Sequence, residues 1–214
     1  MSNAATEAFA DQGYTIVRGL FSSAEAAAYV DHYMDLRQAG TYPLDHAGVD
    51  TDDEDPIRSF PRMTHMQRWD RTSREWLLHP RLAGWLTQLL GEVPLAVQSM
   101  LYFKPPGSRG QAMHQDQFYL KARPGTCIAA WMALDRCDDD NGCLQVVPGS
   151  HRLPILCTQR ADTRASFTDV TVPVPDALEP VSLCMDPGDV AFFGGALIHG
   201  SPPNRTADRF RRAL

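Results

Sequence analysis

The stretch Val181-Ser182-Leu183-Cys184-Met185-Asp186-Pro187-Gly188-Asp189-Val190-Ala191-Phe192-Phe193 decides the fold class. Two short apolar runs, Val181–Met185 and Val190–Phe193, flank the turn Asp186-Pro187-Gly188-Asp189, whose proline and glycine interrupt regular structure. The same unit recurs upstream. Cys143–Val147 is a strand-length run stopped by Pro148-Gly149, and Cys127–Leu134 is another apolar run. From Leu95 the residues alternate: Leu95, Val97, Ser99, Leu101 and Phe103 share one face, and Ala96, Gln98, Met100, Tyr102 and Lys104 share the other. At the N-terminal end, Gly13–Val17 reads as a short strand. It runs into Ser22-Ser23-Ala24-Glu25, a capping box. Ala26, Tyr29, Val30, Tyr33 and Leu36 then follow a helical period, with Gly40 as its stop. A second helical region is expected over about Thr72–Leu90, with Pro80 in a first-turn position and Gly91 past the end. Its Trp76, Leu77, Leu82, Trp85, Leu86 and Leu89 stripe is a core face.

Short strands with Gly/Pro turns, preceded by segregated helices, predict a mainly β fold with flanking α-helices: a jelly-roll barrel, the double-stranded β-helix of cupin-like proteins. A single domain over 1–214 is expected, helical to about 92 and barrel from about 93. The chain has 20 Lys+Arg against 26 Asp+Glu, a formal net charge of −6. That balance argues against a nucleic-acid partner, which usually meets a basic face. No run of about 18 apolar residues exists, so no membrane helix is expected. The first residues show neither a basic nor an apolar leader region, so no signal peptide is expected. The five cysteines include no CxxC pair, which fits reduced thiols and a cytoplasmic location. The partner expected is a small molecule, with the chain a monomer or homodimer. Acidic residues crowd 42–62; segments 45–55 and 154–180 are candidate lids.

His114-Gln115-Asp116 and the distant His199 carry the chemistry. On a strand, residues i and i+2 point to one side, so an imidazole and a carboxylate at 114 and 116 can reach one ion. His199 follows an apolar strand and is the third ligand. Two His and one carboxylate on one face of an octahedron form the facial triad of non-haem Fe(II) oxygenases, with positions left open for a chelating cosubstrate and O2. The structural readings are a capping or surface role for His114, a loop role for His199 and a turn role for Asp116. The cluster Arg205–Arg212 is either a solvated basic tail or the source of a buried guanidinium that clamps a carboxylate. A zinc hydrolase is a poorer reading, because no HExxH-type motif is present. A jelly-roll binding domain without catalysis is the alternative of another class.

These motifs together resemble the phytanoyl-CoA dioxygenase family of Fe(II)- and 2-oxoglutarate-dependent oxygenases. The resemblance rests on Gly13–Phe21, Met113–Asp116, Asn141-Gly142 with Pro148-Gly149-Ser150-His151, His199-Gly200-Ser201 with Asn204, and Phe210–Ala213. It implies Fe(II) held by His114, Asp116 and His199. It implies 2-oxoglutarate held by Arg211 and Ser201, with Arg209 an alternative clamp. Trp131, Met100 and His65 would line the cosubstrate pocket, and His151 would serve a turn. The implied reaction uses O2 to decarboxylate 2-oxoglutarate to succinate and CO2 while hydroxylating an unactivated C–H of a small molecule. A carboxylate at 116 favours hydroxylation over halogenation. Gln98, Tyr102, Lys104, Gln111, Phe118 and Tyr119 are expected near the pocket mouth, with Lys104 a partner for an acidic substrate.

Overall fold

The computed structural model describes residues 3–40, 43, 49, 50, 52 and 54–214. In chain order its elements are α1 (Asn3–Gln12), β1 (Tyr14–Val17), α2 (Ser23–Gln38), β2 (Met63–Thr64), α3 (Arg71–Leu77), α4 (Pro80–Leu90), β3 (Met100–Leu101), β4 (Gln111–His114), α5 (Asp116–Leu120), β5 (Ile128–Met132), β6 (Leu144–Val146), β7 (Gln159–Arg160), β8 (Val170–Thr171), β9 (Val181–Leu183), β10 (Val190–Gly194) and β11 (His199–Ser201).

All ladders are antiparallel. One sheet has the order β1-β10-β5 and a second the order β4-β11-β6-β9; β2-β3 and β7-β8 form two-stranded pieces. The fold is mainly β with flanking helices, in the jelly-roll class. Strand β10 explains why Val190–Phe193 is an unbroken apolar run, since strands covered on both faces lose the polar alternation. Val190 and Phe192 join the core under the helices, where Trp85 stacks on Phe192 with ring centroids 6.1 Å apart. Ala191 and Phe193 point the other way, into the core between the sheets with Leu144, Val146 and Leu183. The turn before β10 is held by Asp189, which accepts from the Gly19 and Asp186 amides and pairs with Arg18 at 2.7 Å.

Local chemistry sets the helices. Ser22 and Glu25 form the expected capping box of α2. The expected helix over 72–90 is two helices: the ring of Pro80 ends the first turn-run at Leu78 and opens α4 as an N1 residue, and Gly91 closes α4 with φ 77. Helix α1 has four alanines and a single large apolar residue, Phe9, and its periodicity does not mark it as a helix. Residues 95–104 also depart from expectation. Only Met100–Leu101 meets β2, while Tyr102 pairs with Ala213 and Lys104 with Arg211. Among the described residues 93–99 have no ladder partner, and Val93, Leu95 and Val97 are exposed.

The acidic segment 42–62 lies partly outside the described residues, so the lid expected at 45–55 is not described as a unit. Its Asp55 caps the 3-10 turn Pro56–Arg58 and pairs with Arg109 at 2.6 Å. The 154–180 segment is pinned rather than free. The Val172 amide donates to Met113, and Gly110 exchanges hydrogen bonds with Ala165 and Phe167. Val172 also joins Val147 and Ile198 in a third apolar cluster outside the second sheet. No helix among the described residues is long and apolar enough to cross a membrane.

Phe192 is fully buried on the strand that both cores share. Phe192→Ala is expected to cost about 3–5 kcal/mol of stability through lost burial and a cavity, read as a lower midpoint in urea unfolding with an unchanged slope.

Candidate metal centre and a buried cation pair

The antiparallel register of β4 and β11 places His199 directly opposite His114. Their rings lie 4.1 Å apart between centroids. Asp116 arrives from the next element. It opens the short helix α5, so the expected strand does not run through it; Gln115 nonetheless stays extended at φ −122, ψ 120, and this single extended residue keeps 114 and 116 on one side. Asp116 Oδ1 is 3.6 Å from His114 Nε2, and its Oδ2 is 3.7 Å from His199 Nε2. The three donor atoms lie within 4.8 Å of one another, close enough to hold a metal ion.

The backbone chooses the imidazole tautomers. His114 Nδ1 faces the Ala112 carbonyl at 2.9 Å, and His199 Nδ1 faces the Leu197 carbonyl at 3.0 Å. A carbonyl only accepts, so each Nδ1 must carry the proton and each Nε2 presents a lone pair. Burial, helped by the charge of His199, holds the His114 imidazole below its ordinary pKa. His114 is thus a neutral ligand at neutral pH. The Gln111 amide nitrogen, 3.2 Å from His114 Nε2, donates to that lone pair. Phe193 packs on His199 at 4.6 Å. Gln115, facing away from the triad and fully buried, ties its amide to Ala196 and accepts from Leu156. The junction between β4 and α5 is therefore anchored on both sides of the chain.

Three arginines end the chain, and the structure sorts them. Arg209 pairs with Asp138 at 2.7 Å, and Arg212 makes a two-pronged pair with Asp135. Arg211 is buried, and among the described residues it has no ion pair; its Nε donates to the Gly142 carbonyl at 3.2 Å. Its guanidinium carbon lies 5.5 Å from the Trp131 ring centroid, so these two expected cosubstrate residues meet. Asn204 holds the intervening loop, donating to the Lys104 and Arg209 carbonyls. Asn141 does the same from the other side, donating to the Arg136 and Phe210 carbonyls.

Lys104 corrects one expectation. It does not reach toward a pocket mouth: it is 2% exposed and donates to Ser201 Oγ at 2.7 Å, Pro202 O at 2.6 Å and Gly142 O at 3.2 Å. Gly142 is required where it stands, because its φ is 73 and a Cβ there would sit 3.0 Å from the Lys104 ammonium. Tyr102, also on this inner face, feels the charges of Arg62, Asp116 and Arg211. Met100 stands opposite Thr64 on the β2–β3 ladder, and His65 follows Thr64 with a left-handed backbone, φ 58, and a buried Nδ1 that has no hydrogen-bond partner among the described residues. His151 is a turn residue, as expected; it packs on Gly13 and faces the Ala10 carbonyl. Phe118 and Tyr119 are exposed and, with His114, Thr158 and Thr171, line a cleft beside the triad.

A model of the family described as "Phytanoyl-CoA dioxygenase (PhyH)" matches residues 9–213. Phytanoyl-CoA dioxygenase 1 of Oryza sativa subsp. japonica is 37% identical over 112 residues, covering 52% of this chain and 40% of the relative. The peroxisomal phytanoyl-CoA dioxygenase of Homo sapiens is 26% identical over 219 residues, covering 96% and 64%. The chain spans about half the length of the curated relatives it matches. Among solved structures, the non-haem α-ketoglutarate-dependent carbocyclase SnoK superposes with a TM-score of 0.77 at 22% identity, covering 100% of this chain and 81% of that one. EctD from S. alaskensis, solved with 2-oxoglutarate and 5-hydroxyectoine, gives 0.76 at 25% identity, covering 100% and 74%.

Deleting an outer partner of a metal ligand typically weakens an ion 10–100-fold. His199→Ala is expected to exceed that loss in a calorimetric titration with Mn(II), while His151→Ala binds as the parent does. Equal affinities in the two variants would remove His199 from the ligand set.

Proposed function

The chain belongs to the phytanoyl-CoA dioxygenase family, and on that premise we propose that it is an Fe(II)- and 2-oxoglutarate-dependent dioxygenase hydroxylating an unactivated C–H of a small molecule. The observation that carries the reading is the convergence of two imidazoles and a carboxylate at one point, together with a buried guanidinium that has no ion pair among the described residues. That donor set suits ferrous iron, and the guanidinium suits a dicarboxylate cosubstrate. With both bound, the centre supplies O2 activation coupled to decarboxylation of 2-oxoglutarate to succinate and CO2.

The chain's own residues do the rest. His114 and His199 would present Nε2 to the ion, because the Ala112 and Leu197 carbonyls hold the proton on each Nδ1. Asp116 adds the negative charge, offering one oxygen toward each imidazole. Arg211 would hold the distal carboxylate of 2-oxoglutarate with its terminal nitrogens, since its Nε is engaged by Gly142. Ser201 donates beside it. The Trp131 face shields the guanidinium from water, which strengthens a charged hydrogen bond. Met100, on the β2–β3 ladder, and His65, just past its end, would line the cosubstrate. The exposed Phe118 and Tyr119 meet an apolar part of the substrate at the cleft. Five unpaired cysteines fit a reducing compartment such as the cytoplasm.

Purified protein given Fe(II), ascorbate, O2 and 2-oxoglutarate should release succinate above a no-protein blank, and faster when a true substrate is present. Absence of succinate across a substrate panel, with the metal bound, would leave a non-catalytic binding domain. Arg211→Ala should weaken 2-oxoglutarate by about 1.5–3 kcal/mol, the worth of hydrogen bonds to a charged group, and Arg209→Ala by far less. The reverse order in a titration would move the clamp to Arg209.

A further inference from the structure

Lys104 and Arg211 exchange both backbone hydrogen bonds, at 3.1 and 3.0 Å. In an antiparallel ladder such residues stand directly opposite, with their side chains on one face. Both are buried, and like charges so placed repel. Among the described residues neither forms an ion pair. A buried unpaired charge is strongly disfavoured, so two neighbouring ones point to an anion as their missing partner. Burial, and then the charge of Arg211, disfavour the charged form of Lys104, and a carboxylate received beside Arg211 would favour it again.

The hydrogen bonds give Lys104 a direction of action. An ammonium has three donors and no acceptor. Its bonds to the Gly142 and Pro202 carbonyls fix where it stands. Its bond to Ser201 Oγ at 2.7 Å therefore makes that oxygen the acceptor. The single Ser201 proton is left for another acceptor. Lys104 and Arg211 also share the Gly142 carbonyl, which ties the two cations into one cradle.

We propose that Lys104 is a positioning residue for the cosubstrate: by holding Ser201 as a donor and adding its charge beside Arg211, it makes this end of the chamber select a 2-oxo dicarboxylate over a 2-oxo monocarboxylate. The proposal rests on the 2-oxoglutarate reading above. A lysine that merely braced the Gly142 and Pro202 carbonyls would not care which acid is bound.

The test titrates 2-oxoglutarate and 2-oxopentanoate calorimetrically into the manganese-loaded chain, without turnover. The parent should prefer 2-oxoglutarate. Lys104→Met should weaken 2-oxoglutarate by about 10–100-fold, the worth of a charge-assisted hydrogen bond, and leave 2-oxopentanoate within about twofold. Combined with Ser201→Ala, the loss should be smaller than the product of the two single losses, because the residues act through one hydroxyl. Equal weakening of both acids, an unchanged 2-oxoglutarate affinity, or multiplicative losses would each overturn the role of Lys104 while leaving the parent's 2-oxoglutarate site intact. A parent that binds Mn(II) but not 2-oxoglutarate would overturn the underlying reading, and this proposal with it. Should circular dichroism show Lys104→Met unfolded, Lys104→Gln, uncharged but still a donor, decides by the same affinity ratio.

Discussion

The register that sets His199 opposite His114 is the constraint on which the site depends. Side chains alternate along a strand, so a slip of one residue in β4 or β11 would turn an imidazole from the chamber to the outer face. The cores enforce that register. Leu197 is buried between the sheets and Ile198 outside the second sheet, on opposite faces of the same segment. Ser150 reinforces it by accepting from the Ile198 amide at 2.8 Å. Packing thus fixes the candidate metal ligands, and the Ala112 and Leu197 carbonyls fix which nitrogen of each ring faces the triad.

A second constraint is how charge is distributed. The C-terminal segment carries several cations, and acids on the 135–140 loop match two of them, Arg209 through Asp138 and Arg212 through Asp135. These pairs are partly exposed and contribute little stability by themselves. Their effect is one of sorting: they hold the segment so that Arg211 turns inward without an acid. Lys104 comes to its side through the opposing strand. The inward-facing groups therefore include a carboxylate at Asp116 and two cations at Arg211 and Lys104, the pair of charges that the proposed binding of a metal ion and a 2-oxo dicarboxylate calls for.

Much of this was legible in the sequence because the signals were local. The Ser22–Glu25 capping box, the Gly91 stop and the two-sided apolar run of β10 each follow from a few adjacent residues. The triad was legible as residue types at a spacing, although Asp116 opens a helix instead of continuing a strand; the extended backbone at Gln115 rescued the geometry. What was not legible depends on long-range pairing. Alternation put Tyr102 and Lys104 on one face, yet nothing near Lys104 in sequence says that Gly142, Ser201 and Pro202 close over it. The choice among Arg209, Arg211 and Arg212 likewise turns on acids some seventy residues away. Helix α1 was missed because its pattern is only weakly amphipathic, and its C-terminal turn is held by contacts with the 149–152 turn.

The most direct measurement is an anomalous-scattering map from crystals of the chain grown with Mn(II) and 2-oxoglutarate. The account predicts one strong peak bounded by His114 Nε2, Asp116 and His199 Nε2, with the far carboxylate of the bound acid on Arg211. Manganese held elsewhere, or an acid whose far carboxylate rests away from Arg211, would contradict it.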